Sequence, residues 1–381
     1  MKTLQIGLDW FPERAGGLPR YYYDLFHAAP AAGIELRGLV AGSAKVAQDS
    51  NGAVRAFAPI SASLPSRLMA ARKAIGQTAS AFRPDLLVSH FALYTLPGLG
   101  TFDCPMAVHF HGPWAFESAV EGHAGLRRSA KMALEKAVYA RAQRFIVLSR
   151  AFGSLLTENF GVPEERVRVI PGGIDLARFD ITMSRQEARA RLGWPQDRRI
   201  IVAVRRLVRR MGLGNLVEAM ADIVRRHPDV LLLIGGRGPM ADELKASIER
   251  LGLEQHVRLL GFVSNDDLPL AYRAADMSVV PTVALEGFGL IAAESLAAGT
   301  PALVTPVGGL PEVVAALDPN LIFEGVDVRH LAERFDDILS GRIALPDEKA
   351  CRRYAEEHFN WDDIVLQIRA VYAEAVAGGR S

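Results

Sequence analysis

Short apolar runs bounded by turn residues alternate with longer amphipathic stretches along almost the whole chain, and this alternation restricts the fold more than any other feature. Buried strands are predicted at LQIGL (4–8), ELRGLVA (35–41), DLLVSH (85–90), PMAVHF (105–110), RFIVLS (144–149) and VRVIP (167–171) in the first half. The second half offers RIIVAV (199–204), VLLLIG (230–235), VRLLGF (257–262), MSVVP (277–281), PALVT (301–305) and a short LIF (321–323). Helical patterns over 17–32, 65–82, 126–142, 213–226, 239–251 and 290–298 lie between them. Strands that apolar, separated by helices, belong in parallel sheets covered on both faces. The chain therefore reads as α/β, with two Rossmann-like domains in tandem. Its 381 residues exceed what one ordinary core holds.

The boundary is expected near 180–191, where the strands lapse into the charged ITMSRQEARARLGWPQDRR. That gives a first domain over 1–183 and a second over 184–361. From Trp361 to Val376 the apolar positions Ile364, Val365, Ile368, Val371 and Tyr372 fall at helical spacing, fit to cover something already folded.

Charge and cysteine content exclude several classes. Lys plus Arg total 44 against 43 for Asp plus Glu, so nothing draws the chain to nucleic acid. Cys104 and Cys351 form no disulfide framework or metal spacing. MKTLQIGLDWF reads as a first strand rather than a signal peptide, and no apolar run is long enough to span a bilayer. A cytoplasmic protein is expected.

The richest stretch for chemistry is PTVALEGFGLIAAESLAAGTPALVTPVGG, residues 281–309. Glu286 stands at a turn of Gly287, Phe288 and Gly289, and Glu294 about two turns into the small-residue helix that follows. Two solvated glutamates beside a Gly-rich turn would be the plain explanation. The context, strand to turn to helix to strand to Gly308–Gly309, favours a ligand at the C-terminal edge of a parallel sheet. Such a turn brings backbone N–H groups and a positive helix end to an anion, while the carboxylates accept hydrogen bonds from sugar hydroxyls.

Three further stretches carry weaker signals. Gly16–Gly17 follows the first strand and precedes a helix, which suits a phosphate or a flexible turn equally. AVRRLVRRMG (203–212) holds Arg205, Arg206, Arg209 and Arg210, a possible diphosphate clamp or a solvated face. His109 and His111 share one side of a strand, with Gly112 next to His111 for close approach. A metal pair there lacks an obvious third ligand, so no metal is expected. Nor does the chain contain an Asp-x-Asp pair to hold a divalent ion on a diphosphate.

With these motifs assembled, the chain resembles a retaining glycosyltransferase of family 4, with the GT-B fold. The resemblance runs almost end to end, through EGFGLIAAE (286–294), SLAAGTPALVT, VIPGGIDLARF (169–179), IGGRGP (234–239), VRLLGFV (257–263), the Gly16–Gly17 loop and HFHGPW (109–114). It implies two Rossmann-like domains facing across a cleft, with residues 362–381 forming a helix that crosses back to the first. It also implies that Glu286 contacts donor-sugar hydroxyls and that the Gly287, Phe288, Gly289 and Leu290 turn receives sugar and phosphate. Glu294 would bind the ribose, Arg206 the diphosphate, and Gly16 and Gly17 a phosphate. Val263 would meet the base, with Gly236 beside it, and His111 would lie near the reacting carbon. The family's lysine five residues after Arg206 is here Met211, which cannot neutralise phosphate. Arg210, or Arg209, is the expected stand-in.

The activity implied is metal-independent transfer of a hexose from a UDP or GDP sugar to a hydroxyl of a glycan or lipid-linked acceptor, in cell-surface polysaccharide or glycolipid synthesis. No cofactor is expected. Two basic clusters, Arg67, Arg72 and Lys73, and Arg127, Arg128 and Lys131, are either solvated helix faces or places to rest on an anionic membrane. A nucleotide-sugar epimerase and a non-catalytic sugar-nucleotide binding protein are the alternatives. A glycan phosphorylase fits less well, since Lys245 and Lys349 are the only lysines between 191 and 360.

Overall fold

The computed structural model describes residues 1–11, 13–14, 16–112 and 126–379, apart from the side chains of 126–128. The chain divides into two compact units, Met1–Gly173 with Trp361–Ser381, and Ile174–Asn360.

The first unit holds a seven-stranded parallel sheet in the order β3-β2-β1-β4-β5-β6-β7. The strands are β1 (Lys2–Asp9), β2 (Glu35–Ala41), β3 (Val54–Ala58), β4 (Leu86–Ser89), β5 (Met106–Phe110), β6 (Arg144–Val147) and β7 (Val167–Val169). Six are the runs expected from sequence; β3 is an addition at the sheet's edge. On one face, Trp10, Tyr21, Tyr22 and Leu25 pack in a single core with Trp361, Ile364, Val365, Ile368, Val371 and Tyr372 of the C-terminal helix, Trp361–Gly378. Each such side chain contributes about 1.5–3 kcal/mol when fully buried, so this helix is an integral layer of the unit.

The second unit holds a five-stranded parallel sheet in the order β10-β9-β8-β11-β12. Its strands are β8 (Arg199–Val204), β9 (Val230–Gly235), β10 (Val257–Gly261), β11 (Met277–Val280) and β12 (Ala302–Val304). LIF at 321–323 makes only an isolated bridge from Ile322 to Val304. The amphipathic helices Leu213–Arg226 and Val328–Leu339 bury Leu216, Met220, Leu331 and Phe335 in one core with Ile201, Leu232 and Val279.

The boundary lies ten residues earlier than the expected 183/184, at Gly173/Ile174. The reason is local packing. Asp175 caps the short helix Leu176–Phe179, Phe179 is fully buried near Tyr272, and Arg178 donates to the Asn265 carbonyl at 2.7 Å. The charged segment around the expected boundary contains the helix Arg185–Leu192, closed at its start by a Ser184/Glu187 capping box.

Candidate active site

Loops at the C-terminal ends of the second unit's strands gather most of the expected residues. Because β9 and β11 flank β8 on opposite sides, the sheet's switch point lies between the ends of β8 and β11, the usual ligand position in an open parallel sheet. Two side chains meet there. Arg205, just past β8, donates through Nη2 to Thr282 Oγ1 at 2.9 Å and to Glu286 Oε2. Thr282 Oγ1 also donates to Glu286 Oε2 at 3.3 Å. Both charged side chains are largely buried, with 6% of Arg205 and 17% of Glu286 exposed. Glu286 Oε1 has no hydrogen-bond partner among the described residues.

The turn carrying Glu286 is strained and braced. Leu285 adopts φ +53°, a left-handed conformation that few residues with a side chain tolerate. Arg210 holds it, its Nη1 donating to the Leu285 carbonyl at 2.8 Å while its own carbonyl accepts from Val283 N at 2.9 Å. On the far side, Gly309 N donates to the Glu286 carbonyl at 2.9 Å. Gly308, at φ +57°, lies so close that a Cβ would collide with that same carbonyl. The sequence GGL at 308–310 is therefore backbone support for the carboxylate.

Gly289 opens the helix Leu290–Ala297, whose residues from Ala292 to Ala297 are all buried. Glu294 stands little more than one turn into it, closer to the helix start than the two turns expected. Its Oε1 lies 4.0 Å from Arg178 Nη1. Burial, then the nearby Glu294 carboxylate, push the Tyr272 phenol well above its usual range, so it stays O–H.

Other expected residues fall beside this group. Arg206 is exposed on the loop after β8. Gly236 allows the loops after β8 and β9 to touch, since a Cβ there would strike the Arg205 carbonyl. Val263 covers Gly235 at the end of β9. Beside it, the Arg237 guanidinium sits 5.1 Å from the centre of the Phe262 ring, which is 54% exposed. Arg209 turns outward to Glu243 at 2.9 Å. Met211 is buried in the core, and its sulfur lies 3.1 Å from Arg205 Nε.

Gly16, Gly17 and His111 belong to the first unit. Gly16 caps the helix Gly17–Ala28, and the space around Gly17 is open. His111 has the third histidine neighbour that sequence reading did not find. His90, at the end of β4, brings its ring within 4.8 Å of His109 and His111 through their nitrogens. Five of the six ring nitrogens are engaged in hydrogen bonds among the described residues. His90 Nε2 donates to Gln5 Oε1 at 2.9 Å, and His90 Nδ1 meets His111 Nε2 at 3.1 Å. His109 meets Tyr372 Oη at 2.8 Å and Tyr21 Oη at 3.2 Å. With the Gln5 oxygen fixing a proton on His90 Nε2, His111 must donate from Nε2, which leaves its Nδ1 as a bare acceptor. Burial holds all three rings neutral, carrying His111 down to about 3 and the other two well below the ordinary range.

Of the basic clusters, Arg67 turns onto the Tyr94 hydroxyl at 2.5 Å, while Arg72 and Lys73 are exposed. The side chains of Arg127 and Arg128 lie outside the described residues, as do Pro113 and Trp114. No helix among the described residues is long and apolar enough to cross a membrane.

Two family profiles match in succession. "Glycosyltransferase Family 4" covers residues 15–178 and "Glycosyl transferases group 1" covers 184–358. A D-inositol 3-phosphate glycosyltransferase of Catenulispora acidiphila is 32% identical over 289 residues, 72% of this chain and 68% of that one. The chain belongs to the group 1, family 4 glycosyltransferases. The chain spans 55–68% of the length of these curated relatives. Among solved structures it shares its fold with a sucrose-phosphate synthase of Thermosynechococcus elongatus, at a TM-score of 0.80, 24% identity and 99% of both chains. It shares it also with Anabaena HepE in complex with UDP-glucose, at a TM-score of 0.77, 22% identity, 98% of this chain and 99% of that one. The fold of the chain is thus GT-B.

Proposed function

We propose that this glycosyltransferase moves a hexose from a nucleoside diphosphate sugar to an acceptor hydroxyl, with retention of anomeric configuration and no metal in the chemical step. The observation that carries the reading is the Glu286 carboxylate at the switch point, one oxygen fixed by Arg205 and Thr282 and the other left for a ligand. Glu294, on the helix starting at Leu290, takes the ribose hydroxyls. The diphosphate between them meets the N–H groups of the Gly287–Leu290 turn and the positive helix end. As the sugar–phosphate bond breaks, negative charge moves onto the departing diphosphate, and arginine with helix dipole stabilises it there. The Arg206 guanidinium, exposed on the adjoining loop, is the natural counter-ion.

The acceptor is the hydroxyl of a glycan or lipid-linked sugar, in cell-surface polysaccharide or glycolipid synthesis. Two relatives guide the assay. HepE was crystallised with UDP-glucose, which makes UDP-hexoses the first donors to try, before GDP and ADP sugars. The Catenulispora relative is named for D-inositol 3-phosphate, which belongs in the acceptor panel.

The test is a thermal-shift screen of donors followed by labelled-sugar transfer to mixed acceptors, with and without EDTA. One donor class should raise the melting temperature, label should reach an acceptor with its anomeric configuration kept, and EDTA should leave the rate unchanged. A strict requirement for Mn²⁺ or Mg²⁺ would contradict the mechanism. An isomerised donor in the absence of acceptor would favour an epimerase instead.

A further inference from the structure

We infer that Arg205 is the positioning cation of the donor site, supplying at Glu286 the positive charge that position 211 lacks. The inference rests on the donor role proposed for Glu286. Four arginines lie between 205 and 210, and the fold gives each a different task. Arg209 is exposed and paired with Glu243. Arg210 braces the Leu285 carbonyl. Arg206 is exposed on the loop. Arg205 alone joins the Glu286 carboxylate, through Nη2, and it does so from a side chain 6% exposed.

Its surroundings explain why the charge must matter. Thr282, fully buried, accepts from Arg205 Nη2 and donates to the same carboxylate oxygen, so the three groups form a closed triangle. Sequestered from water, a guanidinium and a carboxylate interact far more strongly than an exposed pair, and loss of either leaves the other uncompensated. Arg205 thus fixes Oε2 and holds Oε1 in one orientation for the donor sugar.

Met211 packs against the same guanidinium. Its thioether sits against the Arg205 guanidinium, with Nε to sulfur at 3.1 Å. A lysine at 211 would bring an ammonium up against the guanidinium, two like charges in a site largely closed to water. Arginine at 205 and methionine at 211 are therefore one arrangement, with the cation approaching from the end of β8 instead of from position 211.

The test compares wild type with Arg205→Met, Arg205→Lys and the double variant Arg205→Met/Met211→Lys, using the donor found active for wild type. Arg205→Met should lower kcat/KM by about 100-fold. It should weaken binding of the nucleoside diphosphate sugar more than that of the free nucleoside diphosphate. Arg205→Lys should fall in between. Adding Met211→Lys should recover about tenfold or more of the loss, which a merely structural arginine would not predict. Melting curves establish that each variant is folded; should Arg205→Met alone fail to fold, the double variant against wild type still decides. A folded Arg205→Met with unchanged kcat/KM, or a folded double variant no better than the single one, overturns the inference. If wild type itself transfers from no donor, the proposed function fails first and takes this role with it.

Discussion

Replacing Glu286 with glutamine should slow sugar transfer by about 100- to 1,000-fold, the usual loss when one group that stabilises developing charge is removed. Glutamine keeps the length and one acceptor oxygen. However, it brings an N–H₂ where the structure has either an oxygen facing Arg205 and Thr282 or one left for a ligand. In the first orientation the amide opposes two donors. In the second it offers donors to sugar hydroxyls and loses the negative charge that favours an oxocarbenium-like transition state. Both outcomes also leave the Arg205 guanidinium buried without its counter-charge, so a lower melting temperature should accompany the loss of rate. The Leu285 turn is held by backbone and Arg210 contacts that this substitution does not touch, so the fold should survive. Steady-state kinetics with a saturating acceptor, alongside a melting curve, give both readouts. A variant with wild-type kcat would remove Glu286 from the chemistry.

Stability should fall steeply as pH drops below 6.5, and the histidine stack should account for much of the slope. His90, His109 and His111 all have folded pKa values lowered from 6.5, by burial first and for His90 and His109 also by their imidazole neighbours. The unfolded chain binds protons at these rings below 6.5, whereas the folded chain does not. Protonation therefore favours unfolding, and stability present above 6.5 is lost as pH falls toward the folded values. Each ring that stays neutral adds about 1.4 kcal/mol per pH unit to that slope. The groups packed against the stack are Gln5, Tyr21, Tyr22 and Tyr372, and none of them titrates in this window: burial raises all three phenols above their usual range. Urea denaturation from pH 7 to 5 should show the slope, and His109→Phe should make it shallower by about one ring's share. Equal slopes for the two proteins would mean that His109 is charged in the folded state.

Much of the fold was legible because its signal is local. Runs such as RIIVAV and VLLLIG are too apolar to be anything but buried, and the structure has them as β8 and β9. VRAFA escaped notice because it is an edge strand. It is partly exposed and carries Arg55, so it lacks the continuous apolar pattern of the central strands. The compact units divide ten residues before the expected boundary for a related reason. Charge in ITMSRQEARAR suggested a boundary, whereas the chain had already joined the second unit through Phe179, which has no compositional mark.

The geometry of the candidate site was legible where spacing along one element sets it. Glu286 and Glu294 flank a turn and the helix it opens, so their proximity to the helix start follows from the sequence between them. Arg205 could not be singled out in this way. Four arginines look alike in RRLVRR, and only the meeting of the β8 and β11 loops at the switch point separates them. His90 was missed because its partners lie on the neighbouring strand. The parallel register of Ser89 with Val108 brings it beside His109, and the one available signal was that SH and HFH both end strands.

In the proposed site Glu294 holds the nucleotide and Glu286 the sugar. Titration calorimetry of the nucleoside diphosphate and its sugar conjugate, against wild type, Glu286→Gln and Glu294→Gln, tests it most directly. Glu294→Gln should weaken both ligands equally, by about tenfold or more for a lost charge-assisted hydrogen bond. Glu286→Gln should leave the free nucleoside diphosphate bound as in wild type and weaken only the sugar conjugate. If Glu286→Gln weakens the free nucleoside diphosphate as much as its conjugate, the division of the site into a ribose carboxylate and a sugar carboxylate is wrong.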